Sequence, residues 1–190
     1  VASLPMPFPS GPPELWTAGA TTAAVAPATL TEPQSTTPDE VSGGRVAVIT
    51  GGATGLGRAI AAEFGRNGCK VAFCWFEMDG REVEANALLT ETALSSIGVD
   101  VYAARCDVRD RGQVQKFVGD VVRRFGAIHH LVNNAGIAHD AALWRLTAEA
   151  WESVLATNVT GAFNCLAACA PHFRAQRWGK VVHVSAHQEI

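Results

Sequence analysis

The sequence predicts an α/β fold over residues 45–190: a doubly wound parallel sheet in strand order 3-2-1-4-5, covered by helices on both faces. Three observations carry this. Short apolar runs alternate with longer stretches of helical periodicity, as in repeated strand–helix–strand units. A glycine-rich turn joins the first apolar run to the first helical stretch. The 190 residues are 48% apolar and 17% charged, which supports one packed core and argues against global disorder. Crossovers between parallel strands are right-handed, and the simplest winding is the order given.

The elements follow in turn. Arg45 to Ile49 reads as a buried strand and runs into Thr50-Gly51-Gly52-Ala53-Thr54-Gly55-Leu56-Gly57. Leu56, Ile60 and Phe64 then mark a helix that stops at Asn67-Gly68. Val71 to Trp75 is the second strand. A helix over about 79–97 passes through Val83, Ala87, Leu88 and Leu94, and Val99 to Cys106 is the third strand. Asp110 with Gln113 resembles a capping box for a helix carrying Val114, Phe117, Val118 and Val121, with Gly126 as its stop. Ile128 to Val132 is the fourth strand. Thr147 opens a helical region up to about Gln176, which Pro171 interrupts, and Val181 to Val184 is the fifth strand.

Residues 1–44 differ in kind. They hold eight of the nine prolines, four acidic residues and no Lys or Arg. They read as a disordered Pro/Ala/Thr-rich tail without the basic start of a secretory signal or the arginines of a transit peptide. The chain begins with Val, and the tail is expected to come from a start read upstream of one near Gly43–Arg45.

A formal charge of −3 leaves no basic footprint for nucleic acid, and no run of 18 apolar residues exists, so neither a nucleic-acid nor a membrane partner is expected. The cysteines, at 69, 74, 106, 165 and 169, form no CxxC and read as small buried hydrophobes in a reducing cytoplasm. No histidine spacing suggests a metal site, and His129-His130 read as strand-edge residues.

Glycines 51, 55 and 57 leave room for a pyrophosphate to approach the backbone, at a helix N-terminus whose free N–H groups favour anions. Further pieces agree. Thr50-Gly51-x3-Gly55-Leu56-Gly57, Cys106-Asp107-Val108, Asn133-Asn134-Ala135-Gly136, Thr157-Asn158-Val159 and the strand leading to Ser185 resemble, in order, the motifs of the short-chain dehydrogenase/reductases. The resemblance covers residues 45–190 and looks most like the 3-oxoacyl-carrier-protein and acetoacetyl-CoA reductase branch. It implies a Rossmann-type sheet and an NAD(P)-dependent oxidoreductase moving hydride between nicotinamide and a carbonyl or secondary alcohol, with an acyl thioester as one possible substrate. It also implies that Gly51, Gly52, Ala53, Thr54, Gly55, Leu56 and Gly57 hold the diphosphate and adenosine ribose. Phe76 would meet the 2′ side of that ribose. Asp107 and Val108 would bracket adenine, and Asn134, Ala135 and Gly136 would line the nicotinamide-side ribose. Asn158 would hold a water in a proton relay and Ser185 would orient the substrate carbonyl. The plainer alternatives are a helix cap for Asp107 and a helix-kink residue for Asn158. The cofactor is NAD or NADP. Glu77, 20 residues after Gly57, leans the reading to NAD.

The sequence departs from the family at its acid/base. The only tyrosine, Tyr102, lies in the third strand, and no Tyr-x3-Lys occurs. Ungapped spacing from Asn158 puts the serine column on Ala186, one place after Ser185, and adjacent strand residues point oppositely. The expectation is a chain cut before the Tyr-x3-Lys, lacking the later strands and weakly active or inactive, with an exposed apolar edge at its fifth strand. The full-length form is expected to be a homo-oligomer. The alternative is a non-catalytic NAD(P)-binding or regulatory protein on the same scaffold. A methyltransferase on a similar sheet is disfavoured by the paired TGxxxGxG and NNAG motifs.

Overall fold

The computed structural model describes residues 44–77 and 83–185, all within one compact unit, Thr36–Ile190. The expectations for residues 1–43, for the start of the second helix and for Ala186 lie outside the described residues.

Five parallel strands form one sheet: β1 (Val46–Thr50), β2 (Lys70–Trp75), β3 (Val101–Arg105), β4 (His130–Asn133) and β5 (Lys180–His183). Their spatial order is β3-β2-β1-β4-β5, as the sequence predicts. β1 is buried along its whole length, because both faces of a central parallel strand are covered. Its side chains alternate between two cores. Val46 and Val48 join Ala72, Cys74 and Leu131 on one face, and Ala47 and Ile49 join Val71, Phe73 and Val132 on the other.

Helices α1 (Gly55–Arg66) and α2 (Val83–Ser96) cover the second face. α1 approaches the sheet through Gly57 and Ala61, while Leu56, expected on its apolar stripe, is exposed at the first turn. α2 likewise buries Ala87, Thr90 and Leu94 and leaves Leu88 outside. Gly57, Ala61 and Ala87 at these inward positions let the helices lie close to the strands. The first face is covered by α3 (Arg111–Phe125) and a long helical run from α4 (Ala148–Val154) through a π-helical turn (Leu155–Thr160) into α5 (Gly161–Gln176). Asp110 caps α3 by accepting from the Gly112 and Gln113 N–H groups, and Gly126 ends it in the left-handed conformation. The Gln113 side chain reaches back to the Asp107 N–H rather than to Asp110's own.

Two expectations need correction. Pro171 does not interrupt the last helix: α5 continues through it to Gln176, held to the core by Cys165 and Cys169. And although no 18-residue run is wholly apolar, the stretch Ala148–Gln176 is long and apolar enough, by length and composition only, to cross a bilayer. Within it Thr157, Gly161, Asn164, Cys165 and Cys169 are buried in the fold, whereas Trp151, Leu155, Val159 and Phe163 are exposed. All five cysteines are buried and none is in a disulfide, as expected of small hydrophobes. His130 opens β4 and His129 accepts from the Val46 N–H through Nδ1, so both belong to the strand ends. No group of metal-binding side chains occurs among the described residues. β5 is an edge of the described sheet, with Val182 exposed.

Candidate functional site

The site begins with how the ends of β1 and β4 are joined. Thr50, buried at the end of β1, places its hydroxyl where it accepts from the backbone N–H groups of Asn134 (3.0 Å) and Ala135 (2.9 Å). Asn134 returns the contact, its Nδ2 donating to the carbonyls of Thr50 (2.9 Å) and Gly51 (3.2 Å). These four bonds fix the glycine turn against the segment after β4, at the point where the winding of the sheet reverses. In doubly wound sheets ligands bind in the crevice beyond that point.

Two glycines are required there by space. A Cβ on Gly57 would lie 2.1 Å from the Gly51 carbonyl oxygen and 2.6 Å from Asn134 Nδ2. A Cβ on Gly52 would lie 2.4 Å from the Phe73 Cβ. The first protects the turn and the second protects the core. This separates Gly52 from the rest of its motif: it faces Phe73 and does not line the cavity above the turn.

That cavity has a volume of about 520 Å³. Its walls include Gly51, Ala53, Thr54, Gly55, Leu56 and Gly57 from the turn and Phe76 after β2. Asp107 and Val108 line it after β3, and Asn134, Ala135 and Gly136 after β4. Every sequence-predicted cofactor residue except Gly52 therefore meets in one place. The amide of Asn134, however, is committed to the turn, so its contribution is to hold the wall in position.

At the β2–β3 end, Asp107 is bound by its neighbour Arg109 through the backbone N–H (3.0 Å), Nε (2.9 Å) and Nη2 (2.7 Å). Burial raises the Asp107 pKa, and the Arg109 hydrogen bonds outweigh it, holding the carboxyl below its ordinary value. The helix cap is Asp110, so the plainer alternative for Asp107 is not what forms. The Phe76 ring has the Arg105 guanidinium 4.9 Å from its centroid and that of Arg109 at 5.5 Å.

Asn158 sits in the π-helical turn, exposed, and its side chain makes two bonds with the backbone of Ile137: Oδ1 accepts from N–H and Nδ2 donates to C=O, both at 2.9 Å. It is thus at a helix irregularity and also braces the segment after β4, and such π turns occur often at functional sites. Its neighbour Thr157 is buried, lines the cavity and has an Oγ1 with no partner among the described residues. Ser185 is exposed beyond the end of β5 and is not among the cavity-lining residues. Tyr102 is also elsewhere: its hydroxyl donates to Asp120 Oδ2 (3.2 Å) and its ring stacks on Phe117. Burial and the Asp120 charge raise its pKa.

Sequence reasoning missed Cys74, Trp75, Val83, Asn86, Cys106, Arg109, Ile137 and Thr157 as wall residues. A register between β2 and β3 would have brought Cys74 and Cys106 together, and the pairing Cys74↔Ala104 supplies it. Thr157 stands beside Asn158 in its motif, and nothing in the local pattern marks the others.

A glycine turn at the switch point of a 3-2-1-4-5 parallel sheet defines a Rossmann-type fold. The family model for short chain dehydrogenase matches residues 45–189, and the chain belongs to that family of oxidoreductases. It is 35% identical over 140 residues to the 3-oxoacyl-(acyl-carrier-protein) reductase FabG of Staphylococcus aureus (strain N315), covering 74% of this chain and 55% of that protein. It is 36% identical over 143 residues to the enzyme of the same name from Thermotoga maritima, covering 75% and 56%. The chain thus spans about half the length of these curated relatives. Similar solved structures include a Burkholderia phymatum short-chain dehydrogenase/reductase in complex with NAD, with a TM-score of 0.67 and 32% identity, covering 74% of this chain and 48% of that one. An NAD+-bound xylitol dehydrogenase gives 0.68 and 30%, covering 74% and 52%.

The residues present suit a dinucleotide. The turn presents Gly55, where a Cβ would meet open space, at the start of α1, and the unpartnered Thr157 hydroxyl belongs to the same cavity wall.

Proposed function

We propose that the described residues form the nucleotide-binding part of an NAD(P)-dependent oxidoreductase that interconverts a carbonyl and a secondary alcohol, with a 3-oxoacyl thioester as the substrate class. The carrying observation is the cavity above the glycine turn, whose walls are the family's own motifs in one place. The cofactor, when bound, supplies the hydride chemistry. The chain's residues bind and orient. Backbone N–H groups at the start of α1 receive the diphosphate. Asp107 and Val108 flank the adenine, and Ala135 and Gly136 lie along the nicotinamide-side ribose. Asn158 stations a water for proton relay, and Ser185, just past the end of β5, orients the carbonyl. NAD is the proposed form: Glu77 suits a free ribose 2′-hydroxyl, and two similar structures carry NAD. The guanidinium pair on Phe76 works the other way, since it would suit a 2′-phosphate.

Turnover by this chain is expected to be slow or absent. A phenol needs help to act as acid/base near neutral pH, and Tyr102 is bound to Asp120 away from the cavity, with its pKa raised rather than lowered. That placement favours a second reading, a non-catalytic nucleotide-binding protein. Trp151, Leu155, Val159 and Phe163 recur every fourth residue as an exposed apolar row, which supports self-association. A reducing cytoplasm suits five cysteines of which none is in a disulfide. The test is NAD(P)H oxidation in the presence of acetoacetyl-CoA, alongside binding of the same nucleotides. Binding with turnover supports the enzyme, binding alone supports the second reading, and neither overturns both.

A further inference from the structure

Two cysteines in the cavity wall have no part in the chemistry above. Cys74 and Cys106 come from adjacent parallel strands. Cys74 pairs in register with Ala104, so Cys106, two residues further along, points to the same face. Both line the nucleotide cavity and both belong to one apolar cluster. The Gly52 N–H donates to the Cys74 carbonyl (3.1 Å) and the Cys106 N–H to the Trp75 carbonyl (2.8 Å), and each thiol shifts the ionisation of the other. The pair is thereby wired to the glycine turn on one side and to Asp107 and Val108 on the other.

We propose that Cys74 and Cys106 form a peroxide-responsive thiol pair whose oxidation to a disulfide closes the nucleotide cavity. The proposal rests on the nucleotide reading of that cavity and adds its regulation. Cys106 is the nucleophile. The neighbouring Cys74 thiol lowers its pKa, whereas the Cys106 thiol and burial raise that of Cys74. The Cys106 thiolate attacks one oxygen of hydrogen peroxide, the O–O bond breaks, and hydroxide leaves with the proton Cys106 has given up, as water. The resulting sulfenic acid is then attacked by Cys74: the S–S bond forms, the S–O bond breaks, and a second water carries away the Cys74 proton. Two thiols are oxidised to one disulfide and one peroxide is reduced to two waters.

Closure follows from geometry. Parallel strands lie about 4.7–4.9 Å apart with a rise of about 3.3 Å per residue, so positions offset by two are about 8 Å apart between Cα atoms, and a disulfide holds its Cα atoms at about 4.4–6.8 Å. The bond must therefore draw Cys106 toward β2. Cys106 lies just past the end of β3, and Asp107 and Val108 follow it directly, so the wall moves into the space assigned to the adenine. Cys165 and Cys169, in the same apolar cluster, are poorer nucleophiles: burial pushes Cys169 up to about 12 and Cys165 higher still.

The test uses the whole 190-residue chain, reduced, then treated with hydrogen peroxide and mapped by mass spectrometry without reductant. NADH affinity is titrated before and after. The expected result is a Cys74–Cys106 linked peptide, NADH binding at least tenfold weaker, recovery with dithiothreitol, and slower bridging when NADH is already bound. In Cys106→Ser, peroxide should leave the NADH affinity equal to that of the untreated variant, and Cys165→Ala should bridge like the parent. Thiols that stay reduced, a bridge to Cys165 instead, or a Cys74–Cys106 bridge that leaves NADH binding intact would each overturn the proposal. Failure of the untreated chain to bind NADH or NADPH would overturn the nucleotide reading itself, whatever the thiols do.

Discussion

Replacing Thr50 with Val tests the joint on which the site depends. Val keeps the branched shape and removes the hydroxyl. Two backbone N–H groups, of Asn134 and Ala135, then lose their acceptor at the half-buried end of β4. Leaving such a donor unsatisfied costs about 1–3 kcal/mol each, and partial access to water places the pair at about 2–4 kcal/mol. At about 4 °C per kcal/mol for a domain of this size, the melting temperature should fall by about 8–16 °C. Thr50→Ser retains the acceptor and should lose only the methyl contribution, about 1 kcal/mol. The assay is urea and thermal unfolding of the two variants and the parent, with NADH affinity read in parallel, because the same bonds hold the glycine turn against Asn134. A Val variant that melts with the parent and binds NADH equally would refute the view that this hydroxyl joins the two strand ends.

Other expectations follow from the same geometry. Gly57→Ala should abolish measurable NADH binding by displacing the Gly51 carbonyl, whereas Gly52→Ala should mainly destabilise the fold, by about 1–3 kcal/mol of overpacking against Phe73, as urea midpoints and NADH titrations of both would reveal. Asn158→Leu should cost about 1–3 kcal/mol by removing both bonds to Ile137, and equilibrium unfolding would measure it. Burial, with the charges of Arg45, Lys180 and His129, pushes His130 down from 6.5 to about 4. The unfolded chain therefore takes up this proton first, so stability should fall as pH drops from about 6.5 toward 4, and His130→Phe should flatten that decline in urea midpoints measured across the window. Arg105→Ala should weaken any NADP(H) binding more than NAD(H) binding, since it removes a cation beside Phe76; equal losses would show that the guanidinium does not meet the 2′ end.

The fold was legible because its signals are periodic. All five strands, their order and the capping of α3 by Asp110 appear in the pattern of the chain. The walls of the cavity were legible through motifs that fall at the carboxyl ends of β1, β3 and β4. What stayed hidden depends on partners far along the chain. Thr50 looks like any β-branched strand residue until Asn134 and Ala135 arrive to use its hydroxyl. Gly52 looks like part of the phosphate cradle until Phe73 occupies the space beneath it. Leu56 and Leu88 satisfy a helical spacing yet face outward, because Gly57, Ala61 and Ala87 let the helices approach the sheet more closely. Pro171 reads as a break, but the packing of Cys165 and Cys169 carries the helix through. Cys74 and Cys106 are 32 residues apart and meet only through the β2–β3 register.

The most direct test of the central claim is calorimetric titration of NADH, and separately NADPH, into the whole chain, with Gly57→Ala beside it. The account expects one site per chain with a dissociation constant no weaker than about 1 mM, the upper end of ordinary enzyme–substrate affinities, and its loss in the variant. A folded chain that gives no heat or saturation with either nucleotide, or a Gly57→Ala variant that binds as the parent does, would contradict the assignment of the cavity.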